Sequence, residues 1–144
     1  MARAVTPFQA LVRLLSARER TASDLRARLA RKGFPPSAIE ASLERAIALG
    51  YVDDLRAARA KAGRIIARGL SRSLIEHKLR EAGVQGGVLS EVMGETPDDL
   101  TLAQTALAQR FKSRSPSPER VARFLAGRGF EVELVEDLVR KLAG

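Results

Sequence analysis

Apolar residues recur along this chain at the helical interval, and one arrangement of them occurs three times. In the stretch DLRARLARKGF, residues 24–34, Leu25 and Leu29 are followed by Gly33 and Phe34. The same order returns as Ile75, Leu79, Gly83, Val84 and as Val121, Leu125, Gly129, Phe130. Apolar residues at i and i+4 share one helix face. A Gly just past a helix supplies the left-handed residue that closes it, and an apolar residue after that Gly folds back on the last turn, as in a Schellman closure. The pattern predicts a helix of about three turns with a fixed stop, used three times. It extends outward in register: Leu15, Ile65 and Phe111 precede the anchors, while Ile39, Leu89 and Val135, then Leu43, Met93 and Val139, follow them. The first anchors, Leu25, Ile75 and Val121, are offset by 50 and 46 residues. Self-similarity at a period of roughly 20–50 residues is the mark of a repeat architecture. The expected fold is all-α: three tandem three-helix, helix-turn-helix-like repeats over residues 6–50, 51–94 and 97–144, forming an elongated, curved stack.

Cap residues place the boundaries. Thr6-Pro7 suits an N-cap with Pro at the first helical position. Thr21 with Asp24, Ser37 with Glu40, and Ser73 with Glu76 each have the spacing of a capping box. Asp53 and Asp54 stand just before a helical segment, where carboxylates cap exposed N–H groups and meet the positive end of the helix dipole. That reading is preferred to acid/base or metal chemistry, because no third acidic or His ligand lies nearby. Gly86-Gly87 predicts a short or frayed helix at the end of the second repeat. Residues 113–118, SRSPSP, read as a turn, with Ser117-Pro118 opening the next helix.

Charge sharpens the picture. The 144 residues carry a net charge of +8. Residues 1–55 hold nine basic and six acidic side chains, residues 56–84 eight and two, and residues 85–144 eight and nine. The excess therefore lies in the middle, which favours an acidic partner, nucleic acid or an acidic protein groove. In the predicted helix Leu55–Arg68, the residues Leu55, Ala58, Ala62, Ile65 and Ile66 gather on one arc of about 100°. Arg56, Arg59, Lys61, Arg64 and Arg68 spread over the rest, with no acidic partner four residues away inside the helix. Solvated helices usually mix signs. These five with Arg72 are the candidate contact residues for a partner or nucleic acid. The absence of Cys excludes disulfides and thiolate metal sites and points to a reducing compartment. No apolar run approaches the roughly 20 residues of a membrane span. A cytoplasmic protein without membrane association is expected.

The search for chemistry returns little. His77 is the single His and lies between Glu76 and Lys78, as a surface residue. No Walker loop occurs, and the Gly pairs follow no predicted strand, so no nucleotide cradle is indicated. Ser residues fall at caps and turns without a base to activate them. The chain reads as a non-enzyme with no cofactor, no metal and no catalytic residue. A helix-turn-helix reader of base edges is disfavoured, because the helices after Gly33 and Gly129 carry Glu40, Glu131 and Glu133 where Arg, Asn or Gln would serve. The few aromatic residues sit at periodic, core-like positions. Any nucleic-acid contact would be phosphate-directed and salt-sensitive.

The joint Gly50-Tyr51-Val52-Asp53-Asp54-x-Arg56, the Arg68-Gly69 before the second Gly-ended helix, and Arg128-Gly129-Phe130, set in three three-helix units, together resemble the RecX family. The likeness runs from about Leu11 to Leu142, and the joint is its most specific part. The resemblance implies a small cytoplasmic regulator, acting as a monomer on the RecA recombinase. It would lie in the groove of the RecA filament on single-stranded DNA and inhibit ATP hydrolysis and strand exchange, modulating recombination and repair. Single-stranded DNA, met directly or within the filament, is the implied nucleic-acid partner, with double-stranded DNA a second one. The alternative reading is a basic helical-repeat DNA-binding protein with no recombinase partner.

Overall fold

A computed structural model describes residues 4–112 and 115–143 of the chain; Ser113 and Arg114 of the anticipated SRSPSP turn lie outside the described residues. Among the described residues every regular element is a helix. The nine are α1 (Pro7–Ala17), α2 (Ala22–Arg31), α3 (Pro36–Ala48), α4 (Asp54–Ala67), α5 (Arg72–Glu81), α6 (Gly86–Glu95), α7 (Asp99–Arg110), α8 (Pro118–Gly127) and α9 (Val132–Ala143). They follow in three triplets, and the middle helix of each is the Gly-terminated one.

Its closure is a Schellman motif each time. Gly33 N–H donates to Ala30 O at 3.0 Å and Phe34 N–H to Leu29 O at 3.3 Å. Gly83 and Val84 donate to Arg80 and Leu79, and Gly129 and Phe130 to Ala126 and Leu125, in the same pattern. All three glycines have positive φ. The six anchors Leu25, Leu29, Ile75, Leu79, Val121 and Leu125 are completely buried, as a stripe facing the neighbouring helices requires.

Caps agree with the sequence in part. Thr6 and Gln9 form a reciprocal capping box on α1. Thr21 accepts from Asp24 N–H at 3.1 Å. The Asp24 carboxylate does not close a box, however, because it pairs with Arg20 and Arg28. The Ser37–Glu40 box does not form: α3 starts two residues earlier, with Pro35 as N-cap and no side-chain cap. Glu40 is drawn instead to the Arg26 guanidinium. In α5 the cap is Ser71, whose Oγ accepts from Leu74 N–H, so Ser73 already lies inside the helix. Helix α6 is short at 10 residues. It is continuous from Gly86, whose positive φ stands at its start.

The chain divides into two compact units. The first runs to Lys61 and takes in Leu79–Val92; the second holds Ala62–Lys78 and the chain from Met93 onward. In the first, Leu11, Leu25, Leu29, Ile39, Leu43, Ala46 and Val52 make a core flanked by Phe8, Leu14, Leu15 and Phe34. In the second, Ile65, Leu70, Ile75, Leu102, Ala106, Val121, Leu125, Phe130 and Leu138 are buried.

One device appears once in each unit. In the first, Ala22 N–H at the start of α2 donates to the Asp54 carboxylate at 2.8 Å, and the Thr21 hydroxyl donates to Ala82 O at 3.0 Å, beside Gly83. In the second, Arg72 N–H at the start of α5 donates to Asp99 at 2.8 Å, and Ser71 N–H donates to Arg128 O at 3.0 Å, beside Gly129. The starts of α2 and α5 are thus fastened by an Asp and a Gly turn from the triplet that follows.

Candidate functional site

Helix α4 carries most of the anticipated basic surface. Its apolar arc forms as the pattern requires: Ala58, Ala62 and Ile65 are buried, Leu55 and Ile66 half-buried, and Ala57 joins them inside. The cations outside that arc have different environments. In the first unit, Arg56 closes the preceding turn: its guanidinium donates to Gly50 O at 3.1 Å, to Tyr51 O at 3.2 Å and to Glu19 at 3.0 Å. Asp53 caps the helix under it, accepting from Arg56 N–H at 3.0 Å. The joint Gly-Tyr-x-Asp-Asp-x-Arg is therefore held by its own polar groups, with Asp54 spent on the distant N–H of Ala22. Arg59 lies 3.4 Å from Glu91 with both side chains about half exposed, and Lys61 is half-buried. The acidic partners missing within the helix are supplied by other elements.

In the second unit, Arg72 is half-buried and its guanidinium donates to Thr96 O at 2.6 Å and Pro97 O at 3.2 Å, bracing the turn before α7. Arg64 and Arg68 differ from the others. Both are exposed, and neither side chain makes a hydrogen bond or ion pair among the described residues. Their charges are left to the solvent.

Arg68 opens onto a feature that the charge tally hid. It lines a cleft of about 180 Å³ with Gly69, Gln109, Arg110, Phe124 and Arg128. A cleft of about 270 Å³ shares Arg110 and Phe124 and adds Phe111, Arg120 and Arg123. Phe111 and Phe124 meet edge to face at 5.7 Å. The Arg110 and Arg120 guanidiniums lie 5.2 and 5.5 Å from the Phe111 ring, and that of Arg128 lies 5.2 Å from Phe124. Such cation–π contacts hold a guanidinium over a ring without consuming its N–H donors. Among the described residues no carboxylate lines either cleft. Residues 85–144 are almost neutral in sum, yet their arginines converge while their acids stand elsewhere, Asp137 beside Arg140 for example. The periodic reading assigned these Phe residues to the core; both are only half-buried. The available signal was the dipeptide Arg-Phe, present at 110–111 and again at 123–124.

His77 is exposed. Among the described residues no group of three His, Cys, Asp or Glu side chains is placed to hold a metal ion. No described helix is long and apolar enough to cross a membrane.

Comparison with known proteins gives a consistent result. The pattern described as RecX, first three-helix domain, matches residues 8–45. Regulatory protein RecX of Chromohalobacter salexigens is 37% identical over 134 residues, spanning 90% of this chain and 88% of its own length. That of Halorhodospira halophila is 34% identical over 131 residues, spanning 88% and 81%. Among solved structures, the crystal structure of RecX from Lactobacillus salivarius superposes with a TM-score of 0.68 at 18% identity, covering 95% of this chain and 94% of that one. At that identity the structural likeness speaks for the fold, and the sequence relatives speak for the family.

Proposed function

The chain belongs to the RecX family of regulatory proteins, and on that premise we propose that it binds the RecA recombinase filament on single-stranded DNA and restrains its ATP hydrolysis and strand exchange. It acts as a cytoplasmic monomer and contributes no chemistry of its own. The three repeats, residues 6–50, 51–94 and 97–144, are the modules with which it contacts the filament. Family membership is the observation that carries this reading. The charge on α4 and just after it supports the reading: Arg56, Arg59, Lys61, Arg64, Arg68 and Arg72 are the contact set, led by Arg64 and Arg68. These two keep their full donor capacity for an acidic surface or a phosphate, whereas Arg56 and Arg72 already serve backbone carbonyls.

The test is RecA ATP hydrolysis on preformed filaments, titrated with the native chain and with the double variant Arg64→Ala/Arg68→Ala. The native chain should inhibit, and the double variant should need roughly tenfold more protein for the same effect, the loss of two exposed charge contacts. Inhibition undiminished in the variant would move the contact surface off α4. No inhibition at any dose of native protein would defeat the regulatory reading and favour a DNA-binding repeat protein with no recombinase partner.

A further inference from the structure

The contact between a helix start and a Gly turn, made once in each unit, is a template for two surfaces that stand open. Thr21 is buried where its hydroxyl meets Ala82 O, and Ser71 where its N–H meets Arg128 O. A Cβ on Gly69 would lie 3.1 Å from that of Ala106, so the turn into α5 fills the space between α7 and the Gly129 turn. The corresponding space in the first triplet, between α1 and the Gly33 turn, is a cleft of about 340 Å³. Val5, Ala10, Leu14 and Phe34 line it, with Arg13 and Lys32. Phe34 is only half-buried there, whereas Val84 and Phe130, which follow the other two turns, are buried. The Lys32 carbonyl, counterpart of those of Ala82 and Arg128, accepts no hydrogen bond among the described residues. The start of α8 is open in the complementary sense. Ser117 caps α8 as Thr21 caps α2, accepting from Arg120 N–H, yet it is exposed and its hydroxyl donates to no described residue. Pro116 precedes it, as Leu70 precedes Ser71. Glu119 stands two residues past the cap, the place from which Ser23 meets Gly83. Glu119, Arg13 and Lys32 are exposed, and their side chains make no ion pair among the described residues.

We propose that the α8 start of one copy docks head to tail in the Gly33 cleft of a second copy. Pro116 meets the apolar floor, the Ser117 hydroxyl donates to Lys32 O, and the Glu119 carboxylate faces Lys32 and Arg13. The pairing strands no polar group. Helix α8 begins with Pro118, which offers no N–H, and α1 begins with Pro7 where α4 and α7 begin with Asp54 and Asp99. Another protein's acidic helix start would be drawn to the same two cations. The chain's own α8 start supplies the cap, the apolar residue, the carboxylate and the missing N–H together. Because the two partners use different patches, the association is heterologous and can pass from copy to copy. Without the Asp fastening the contact is weak, so dilute chains stay monomeric and copies join where their local concentration is high. The inference rests on the filament reading only for that setting, a row of copies along one filament.

The experiment is sedimentation equilibrium of the full chain with no recombinase, so its failure leaves the RecA reading standing and the ATPase test is judged separately. The weight-average mass of the native chain should rise toward that of two copies by about 1 mM, the strength of a weak contact. Lys32→Glu and Glu119→Lys each alter one exposed side chain, and matched circular dichroism would confirm that the helices persist. Each alone sets like charges against each other and should weaken association roughly tenfold. Lys32→Glu/Glu119→Lys in one chain restores the opposite signs across the contact and should associate within about threefold of the native chain. An equal mixture of the two single variants should recover in the same way. On RecA filaments, native inhibition should rise more steeply with dose than inhibition by either single variant. The proposal is overturned if the native chain stays monomeric at about 1 mM, the concentration at which even a weak contact is half formed. It is equally overturned if the single variants associate as the native chain does, or if the double reversal and the mixture fail to recover.

Discussion

At the level of single residues, the carboxylates show how far sequence spacing carries. Asp53 and Asp54 were readable as caps, because a carboxylate before a helix has N–H groups within reach. That Asp54 would cap α2 instead of its own helix was not readable, since its partner Ala22 stands 32 residues away. Ser37 and Glu40 had the right interval for a box and did not form one, because Pro36 can occupy the first helical position and Arg26 offered Glu40 a charged partner. That partner has a consequence for pH. The hydrogen bond from Arg26 holds the Glu40 carboxyl below its ordinary range, and the Thr101 N–H and hydroxyl do the same for Asp98. In both, the folded value lies below the unfolded one, so the unfolded state takes up protons first as the medium is acidified. Their contribution is complete above the ordinary carboxylate values of about 4 and is lost as pH falls through the folded values. Urea midpoints should therefore be level between about pH 5 and 7 and decline below about pH 4. In Glu40→Gln/Asp98→Asn that decline should be smaller; an unchanged profile would show that other carboxylates govern acid unfolding.

Among the helices, the most legible part of the chain was the thrice-used stop. Two apolar anchors, a Gly and a closing apolar residue specify a Schellman end through local hydrogen bonds alone, so no tertiary information was needed. The three glycines are equivalent in backbone angle but not in surroundings, and that difference was invisible beforehand. A Cβ on Gly33 would meet nothing within 4 Å, whereas one on Gly83 would lie 2.6 Å from the Cβ of Ser23. Gly33→Ala bears only the cost of a left-handed conformation with a side chain, roughly 1 kcal/mol. Gly83→Ala bears that cost and must also displace the start of α2, for a total of about 3 kcal/mol. Chemical denaturation of the two variants would separate these contributions, and equal losses would mean that α2 shifts at little cost. The arginine cleft was the least legible feature. Its charges come from α7, α8, the end of α8 and the residue after α4, and a running sum of charge over residues 85–144 cancels them against acids that are not among the described lining residues.

Across the whole molecule, the fastening differs from one triplet to the next. The fastening of a helix start by the next triplet occurs at α2, where Ala22 gives its N–H to Asp54, and at α5, where Arg72 gives its N–H to Asp99. The equivalent position in the third triplet is Pro118, which has no N–H to give. In the first triplet a Cβ on Gly33, unlike one on Gly83 or Gly129, would meet no described atom within 4 Å. A proline is therefore compatible with α8 and should not be with α2, although both positions are the first of a helix, where proline is ordinarily welcome. Thr21 is extended at φ −74°, ψ 159°, a conformation that accepts a following proline, so Ala22→Pro removes the hydrogen bond to Asp54 with little other disturbance. The loss should be about 1–2 kcal/mol in urea unfolding, the cost of stranding a half-buried carboxylate. In an Asp54→Ala background the same substitution should cost almost nothing, and the difference between the two backgrounds measures the fastening itself. Pro118→Ala, the converse change, should lie within about 0.5 kcal/mol of the native chain, because a proline at the first helical position has no hydrogen bond to lose. Equal costs for Ala22→Pro in both backgrounds would show that the proline ring, and not the lost donor, is what α2 cannot tolerate.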